Sequence, residues 1–356
     1  MKVPSVGVEE EFLLVDAETG RPAPRVEQVV AGADAEKELH RAQIEINTEP
    51  CSTLAELADR LTGQRASVAA AARDEGTSVV ASGTYPGPIG EAGRLLTEKD
   101  RYRAVAGTNI VLAREQLICG CHVHIEVTDD EDRVRVVDRI RRHLPSLLAL
   151  SANSPFWEGW DTGFASFRSE QWVRWPSAGV TARFGSYDRY RDVVDKLVAG
   201  GVMIDEGMVY WDARLSRTFP TVEVRVADVC LSVDDAVTVA GLVRALVLDA
   251  LTSTDPDPDL RPEFLRGANW LAARHGIGGR LMDPADGSTT AAADHFGQLL
   301  DRLAPVLAMA GDEERVGAGV RRILSGGTGA DRQRACSDGG RDLAAVIDLA
   351  TLPAPP

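Results

Sequence analysis

The chain has 356 residues, of which 44% are hydrophobic, and a formal net charge of −15 at pH 7. This hydrophobic content is ordinary for a globular protein and is sufficient for a large core. The excess of acidic residues argues against a nucleic acid or an anionic membrane surface as the main partner, although it leaves room for a local basic pocket.

No stretch of the sequence predicts a signal peptide or a membrane span. The N-terminus lacks an apolar core region of suitable length. The most apolar helical stretch, AVTVAGLVRALVLDAL, is interrupted by Arg244 and Asp249, so we expect it to form a buried helix. The five cysteines are odd in number and scattered, which is typical of reduced thiols. We therefore expect a cytoplasmic protein.

Strand and helix patterns alternate along the chain. Alternating or β-rich composition predicts strands at 6–15, 43–47, 77–83, 117–127 and 221–229, with a weaker candidate at 208–216. Helical patterns cover 52–76, 132–153, 188–198 and 232–251. In the first of these helices, Thr53 and Glu56 have the spacing of a capping box, and Gly76 is a stop signal.

This order of elements predicts a single α+β domain. The predicted strands come from most of the chain, which favours one sheet over two separate domains. The loop at 252–262 resembles a linker, but helices flank it on both sides and we place no boundary there. We expect the domain to cover residues 1–350 and a tail to follow at 351–356.

One face of the predicted sheet is unusually acidic. Residues two apart on a strand point to the same side, so Glu9 and Glu11 share a face and Glu10 points the other way. The same rule collects seven carboxylate and imidazole residues on this polar face: Glu9, Glu11, Glu45, His122, His124, Glu126 and Glu223. Arg225 is its one arginine, and it carries no lysine.

Two interpretations of this polar face are open. An antiparallel sheet with one solvated face alternates in the same way, although solvated faces usually mix lysine, serine and threonine with glutamate. Carboxylates that face one another repel unless a positive charge lies between them. Oxygen-rich groups with an occasional imidazole suit Mg²⁺ or Mn²⁺, so the composition favours a metal site.

The stretch CGCHVHIEV leaves a second chemistry open. A His-x-His pair on a strand also occurs in zinc and iron enzymes, so a metal-dependent hydrolase is an alternative function. Cys119 and Cys121 point to the apolar side and are expected in the core. Cys51 follows the second strand, and we interpret it as a small buried residue in preference to a nucleophile.

Five motifs in order resemble the type 2 glutamate–cysteine ligase family of bacterial carboxylate–amine ligases. They are GVEEEFLLVD, QIEIN, CGCHVHIEV, NSPFWEGWDTGFASFRSE and EVRVAD, and the resemblance extends from about residue 5 to about residue 335. It implies a fold related to that of glutamine synthetase, with a curved, mainly antiparallel sheet of about six strands that forms a funnel and helices on the outer face. It also implies ATP and two or more Mg²⁺ ions in the funnel, and it suggests a homodimer.

The resemblance implies roles for individual residues. The acidic and histidine metal ligands of the family fall on Glu9, Glu11, Glu45, His122 and Glu223. The family places an arginine near the transferred group at Arg168, and Arg225 shares the polar face, where a guanidinium can grip phosphate in a bidentate manner. Further candidates for substrate or ATP binding are His124, Arg101, Arg174 and Trp172, the last from a tryptophan-rich segment expected to border the funnel.

The implied reaction joins a carboxylate to an amine at the expense of ATP. Glutamate is the expected acid, cysteine is a candidate amine, and the product is a γ-glutamyl amide formed through an acyl phosphate. Phosphoryl transfer depends mainly on positioning and charge neutralisation, so no enzyme nucleophile is required. The sequence contains neither a GxxxxGK[ST] string nor a GxGxxG turn, so ATP is expected to bind in another mode. A non-catalytic binding protein is disfavoured, because such a protein has no physical reason to keep carboxylates that repel.

Overall fold

The computed structural model describes residues 2–254 and 260–354. Its strands are β1 Val6–Asp16, β2 Glu36–Lys37, β3 Gln43–Asn47, β4 Thr77–Val80, β5 Gly120–Glu126, β6 Phe156–Trp157, β7 Trp160–Asp161, β8 Ala213–Leu215, β9 Thr221–Asp228, β10 Arg280–Met282 and β11 Thr289–Ala291. Its α-helices are α1 Val26–Val29, α2 Leu54–Asp74, α3 Gly90–Gly93, α4 Asp100–Thr108, α5 Ile110–Glu115, α6 Asp130–Ile140, α7 Leu144–Ser151, α8 Phe167–Trp172, α9 Tyr187–Ala199, α10 Val233–Thr252, α11 Pro262–His275, α12 Ala292–Ala310, α13 Glu313–Gly326, α14 Gly329–Cys336 and α15 Leu343–Ala350. Short 3₁₀ helices lie at Arg141–His143, Glu206–Met208 and Gly276–Gly278.

A seven-stranded antiparallel sheet forms the centre of the fold. Its strand order is β2-β3-β1-β5-β9-β8, and β4 pairs with the second half of β1. Every pairing within this sheet is antiparallel. The central neighbours in the sheet are far apart in the chain, since β1 lies between a strand near residue 45 and one near residue 123, and the latter pairs with β9 near residue 224.

The register of the sheet brings the predicted polar residues opposite one another. Glu11 lies opposite Glu45 on β3, and Glu9 lies opposite His122 on β5. His124 lies opposite Glu223 on β9. Residues directly opposite on antiparallel strands have side chains on the same face, so these pairs form one continuous polar surface.

Helices cover the other face of the sheet. Helix α10 contacts β1 and β5, α2 contacts β1 and β4, and α6 and α7 contact β9. The apolar residues of the strands are fully buried beneath them, among them Val8, Ile46, Val123 and Val224. The predicted mainly antiparallel sheet with helices on its outer face is confirmed. Among the described residues, no helix combines the length and apolar character that crossing a bilayer requires.

A buried ion pair explains why the first strand carries three consecutive glutamates. Glu10 points into the helix layer and has no exposed surface. Arg65 on α2 donates to both of its carboxylate oxygens, from Nε at 2.8 Å and from a terminal nitrogen at 2.6 Å, and also donates to the carbonyl of Cys230. Glu10 therefore joins the sheet to α2 and does not belong to the polar face.

Arg65→Met is expected to reduce the free energy of unfolding by about 3–5 kcal/mol, because it leaves the Glu10 carboxylate buried without its partner. Urea titration measures this loss. The matched control is Arg60→Met on the same helix, whose partner Glu56 is exposed, and we expect little change there. Equal losses in the two variants would contradict this account of Glu10.

Several predicted boundaries were wrong. Only Ala213–Leu215 of the stretch 208–216 is a strand. The predicted helix at 132–153 is divided into α6 and α7 by a 3₁₀ turn next to Pro145, which lacks an N–H for a helical hydrogen bond. The Thr53 side chain caps α2 as predicted, but Glu56 returns to the N–H of Ser52 and not to that of Thr53.

Residues 351–354, which were predicted to belong to the tail, are packed against the sheet. The tail was expected from residue 351, yet Leu352 is buried and its N–H donates to the carbonyl of Val79 on β4 at 2.8 Å. Burial of this leucine and a hydrogen bond to a strand edge hold the segment in place. The loop predicted at 252–262 lies partly outside the described residues.

Candidate active site

Three groups of carboxylate and imidazole residues occupy the polar face, and each is compact enough to hold a metal ion. They are Glu11 with Glu38 and Glu45, Glu9 with Glu45 and His122, and Glu9 with His124 and Glu223. Within each group the available ligand atoms lie within 4.8 Å of one another. All five predicted metal ligands therefore lie in one continuous cluster, which we call the carboxylate–imidazole cluster.

The acidic end of the cluster carries unbalanced negative charge. Burial and the neighbouring carboxylates of Glu9, Glu38 and Glu11 raise the pKa of Glu45 well above its usual value. Burial and Glu11 raise the pKa of Glu38 to about 7. A cation between these carboxylates would remove the repulsion that raises both pKa values.

Two histidines contact Glu9 at the other end of the cluster. The Nδ1 atom of His122 lies 3.1 Å from one Glu9 oxygen, and the Nε2 atom of His124 lies 3.0 Å from the other. Burial opposes ionisation of Glu9, but its hydrogen bonds to the two histidines lower its pKa far below the usual value. Burial and Arg225 lower the pKa of His122, which keeps its imidazole neutral, as a metal ligand must be.

The donor set fits a divalent cation. The Nε2 atom of His122 is buried, and no described residue forms a hydrogen bond with it. An imidazole nitrogen without a partner beside several carboxylates is a suitable ligand set for Mg²⁺ or Mn²⁺, with oxygen as the majority ligand. The identity of the ion and the role of each ligand stay predictions.

Glu223 differs in its surroundings from the other predicted ligands. Arg214 on β8 binds its carboxylate in a bidentate manner, at 2.7 and 3.0 Å, and Arg225 contacts the same group. Burial would raise the pKa of Glu223, but these two arginines lower it far below the usual value. Glu223 is thus already neutralised by protein cations, whereas Glu45 is not.

Two arginines and a tryptophan form the wall beside the cluster. Arg168 and Arg225 are almost completely buried, and their guanidinium groups lie 5.8 and 5.6 Å from the ring of Trp172. The Trp172 indole donates to the carbonyl of Tyr210 at 3.0 Å, which holds the ring in place. The Nε atoms of Arg168 and Arg225 are buried and have no hydrogen-bond partner among the described residues.

Of the remaining predicted site residues, Arg101 lies at the site and Arg174 does not. Arg101 lines the smaller of two cavities that meet at the cluster, and it forms a bidentate pair with Asp205 at 2.9 and 3.1 Å. Arg174 is exposed and pairs with Glu115 at 2.6 Å, outside the cavities that contain the cluster, so the structure does not bring it to the site. Glu126, assigned to the polar face by alternation, binds Ser5 at the end of the strand and does not reach the cluster.

Two cavities meet at the carboxylate–imidazole cluster. The larger site cavity has a volume of about 390 Å³ and is lined by His124, Glu223, Arg133, Arg191, Arg217 and Phe219, among others. The smaller site cavity has a volume of about 210 Å³ and is lined by Glu11, Glu38, Glu45, Arg168, Arg225 and Trp172, among others. Glu9, Gly207 and Arg214 line both. A cavity of about 700 Å³ lies elsewhere and contains none of the predicted site residues.

Comparison with known proteins identifies the family. Residues 5–344 match the family described as glutamate-cysteine ligase family 2. The chain belongs to this family. A relative from Frankia alni, provisionally named glutamate–cysteine ligase 2-2, is 42% identical over 370 residues, which cover 98% of this chain and 96% of the relative. A relative from Rhodopirellula baltica, provisionally named glutamate–cysteine ligase 2, is 40% identical over 360 residues and covers 97% of this chain.

Solved structures show the same fold at low sequence identity. Glutamate–cysteine ligase from Francisella tularensis in complex with AMP has a TM-score of 0.72 at 14% identity, covering 98% of this chain and 88% of that one. The bifunctional glutathione synthetase from Pasteurella multocida has a TM-score of 0.69 at 17% identity, covering 98% of this chain but only 52% of that one. The predicted family and ligase class are confirmed, and the hydrolase alternative is not supported.

Sequence reasoning missed Glu38, which belongs to the cluster, and Arg214, which binds Glu223 beside it. Glu38 follows a two-residue strand, so no alternation marks it as part of the polar face. Arg214 lies in the weak candidate at 208–216, where only the three strand residues alternate. A search for carboxylates near the second strand could have suggested Glu38, but only the pairing of β2 with β3 brings it to Glu45.

The raised pKa of Glu38 predicts how stability depends on pH in the metal-free protein. The folded state keeps a proton on Glu38 up to about pH 7, whereas the unfolded state loses it near the ordinary value of 4.5. At Glu38 the folded state therefore binds more protons in this interval, so the contribution of this residue to stability falls as pH rises from 4.5 through 7. In EDTA, the urea midpoint of Glu38→Gln relative to that of the wild type should therefore rise between pH 5 and 8, because only the wild type loses this contribution. An unchanged slope in Glu38→Gln would refute the assignment.

Proposed function

We propose that this ligase joins the γ-carboxylate of glutamate, or of a closely similar acid, to an amine at the expense of ATP, through an acyl phosphate. The observation that carries this proposal is the meeting of two cavities at one carboxylate–imidazole cluster, with Glu9 in the wall of both. A phosphoryl group can pass from one ligand to another only where both ligands reach the same point.

The two cavities suit different ligands. Ligand sites for larger molecules usually have volumes of about 300–1,000 Å³, and the larger site cavity falls in this range. Its arginines, Arg133, Arg191 and Arg217, suit a polyphosphate that replaces the present partners of Arg133 and Arg191, which are Asp130 and Glu206. Phe219 offers an aromatic surface in the same cavity. We therefore assign the nucleotide to the larger site cavity and the small acid to the smaller one.

The cluster would hold Mg²⁺ through its carboxylates and the free nitrogen of His122. When bound, Mg²⁺ neutralises the charge of the phosphate oxygens during transfer. Arg168 and Arg225 add fixed positive charge on the side of the smaller site cavity, where buried guanidinium groups hold phosphate or carboxylate oxygens in a set orientation. Their Nε atoms are buried without a hydrogen-bond partner among the described residues, and a bound phosphate or carboxylate would supply one.

The covalent steps require no nucleophile from the protein. A carboxylate oxygen of the acid attacks the γ-phosphorus of ATP, and the bond to the β–γ bridging oxygen breaks and releases ADP. The nitrogen of the amine then attacks the carbonyl carbon, and the carbon–oxygen bond to phosphate breaks as the amide forms; the proton lost by the nitrogen leaves with the phosphate. Cys51 takes no part in this scheme, because it is buried and donates to the carbonyl of Glu49.

The experiment is an ADP-release assay with Mg²⁺, glutamate and other acids, and a panel of amines that includes cysteine. We expect ADP only when an acid and an amine are both present, and hydroxylamine in place of the amine should yield a hydroxamate. EDTA should abolish release. ADP production that needs no amine would contradict the ligase chemistry. A cytoplasmic location and a homodimer stay predictions.

A further inference from the structure

A buried carboxylate, that of Asp228, lies behind Arg168 and does not line either site cavity. Asp228 ends β9, five residues after Glu223, and has no exposed surface. It accepts three hydrogen bonds: from the N–H of Asn153 at 2.8 Å, from Ser154 Oγ at 2.6 Å and from Ser166 Oγ at 2.8 Å. The proposed chemistry does not use Asp228, so its burial requires another explanation.

Both serines link Asp228 to the helix that carries Arg168. The Ser154 hydroxyl, which donates to Asp228, accepts from the N–H of Arg168 at 3.0 Å. Ser166 is the N-cap of α8, the helix that carries Arg168 and Trp172. The Asp228 carboxylate also lies 3.8 Å from a terminal nitrogen of Arg168, and no other described carboxylate lies within 4.0 Å of this guanidinium.

The other contacts of the Arg168 guanidinium are weak. It donates to the carbonyls of Val226 and Arg225 at 3.5 and 3.3 Å, distances at the long end for hydrogen bonds. Its burial among neutral groups would be costly without a counter-charge. Asp228 supplies that charge from outside the cavity and leaves the cavity side of Arg168 free for a ligand.

Two glycines make room for this arrangement. A Cβ atom at Gly83 would lie 2.9 Å from the Asp228 carboxylate carbon, and one at Gly120 would lie 2.3 Å from a terminal nitrogen of Arg168. Contacts below 3.0 Å force a neighbouring group to move. A side chain at either position would therefore displace one member of the pair.

We propose that Asp228 is a positioning residue for the ligase reaction: through Ser154, Ser166 and its charge, it holds the Arg168 guanidinium at the place where the transferred group is stabilised. This proposal rests on the proposed function, in which Arg168 contacts the reacting groups. Asp228 itself touches neither substrate nor metal.

A double-mutant cycle tests whether Asp228 acts through Arg168. Asp228→Asn is expected to lower kcat about 10- to 100-fold, the loss typical of groups that orient a ligand-binding side chain. In the Arg168→Met background, the same change should lower kcat less than about twofold, since residues that act through one another are not additive. Equal losses in both backgrounds would overturn the proposal.

A matched control and a second variant guard against a purely structural effect. Asp312→Asn removes another buried carboxylate that pairs with an arginine, Arg244, away from the site. It should lower the urea midpoint and leave kcat unchanged. If Asp228→Asn does not fold, Ser154→Ala removes the link to the Arg168 backbone and should show the same dependence on Arg168. Absence of that dependence in Ser154→Ala counts equally against the proposal.

An assay that needs no turnover separates this inference from the proposed function. The Nε–H of Arg168 is buried, so it should give a slowly exchanging signal in arginine-labelled protein, assigned by its loss in Arg168→Lys. Asp228→Asn should speed its exchange about tenfold or more, and Asp312→Asn should leave it unchanged. If the wild type releases no ADP, the proposed function fails. The exchange rate of the Arg168 Nε–H then still reports whether Asp228 holds the Arg168 side chain in place. An unchanged rate in Asp228→Asn would refute it.

Discussion

Glu45→Gln is expected to abolish turnover and, at the same time, to stabilise the metal-free protein. Glu45, like Glu9, belongs to two of the three candidate ion sites. Changes to groups that only orient metal ligands already cost about 10- to 100-fold in activity, so loss of a direct ligand should cost at least this much. Glutamine keeps the size of the side chain and removes its charge, which relieves the repulsion from Glu9, Glu38 and Glu11.

Two measurements test this expectation together. ADP release with saturating acid and amine reports turnover, and urea titration with EDTA or with Mg²⁺ reports stability. In the wild type, Mg²⁺ should raise the urea midpoint, as any ligand that binds only the folded state does, and Glu45→Gln should reduce this gain. Glu49→Gln is the matched control, because Glu49 is exposed and lies outside the cluster. Loss of folding in Glu45→Gln would instead indicate a structural role for this residue.

Arg225→Gln is expected to lower kcat by about 10³-fold while the fold is retained. An arginine that stabilises a phosphoryl group in flight typically contributes a factor of about 10³–10⁵. Arg225 lies between the carboxylate–imidazole cluster and Trp172, and its Nε atom has no hydrogen-bond partner among the described residues. Glu223 keeps its bidentate partner Arg214 in this variant, so the buried carboxylate is not left without a counter-charge.

The matched control for Arg225→Gln is Arg174→Gln. Arg174 follows the helix that carries Arg168, but it points to Glu115 and away from both site cavities. We expect its kcat and its KM for ATP to stay within about twofold of the wild-type values, as for most exposed ion pairs with little energetic weight. Comparable losses in the two variants would show that Arg225 acts through general electrostatics and not through contact with the reacting groups.

Alternation along single strands was sufficient to separate polar-face residues from buried ones within β1 and β3. Because successive side chains on a strand point to opposite sides, Glu9 and Glu11 had to separate from Glu10, and the structure places Glu10 in the helix layer with Arg65. The same local rule misplaced Glu126, since it cannot say how far along the face a cluster extends. The family was predicted from the resemblance of five ordered motifs. The periodicity of strands and helices carries no information about family.

Only the tertiary structure decided which of these residues meet. Glu11 faces Glu45 and Glu9 faces His122 because of strand pairings that join distant parts of the chain, and a slip of one residue would turn each set to the opposite face. Glu38, Arg214 and the support of Arg168 by Asp228 depend on the same long-range register. Alternation is a property of the local backbone, whereas register results from hydrogen bonding and core packing of the whole sheet, so the sequence determined the composition of the face and the fold determined its geometry.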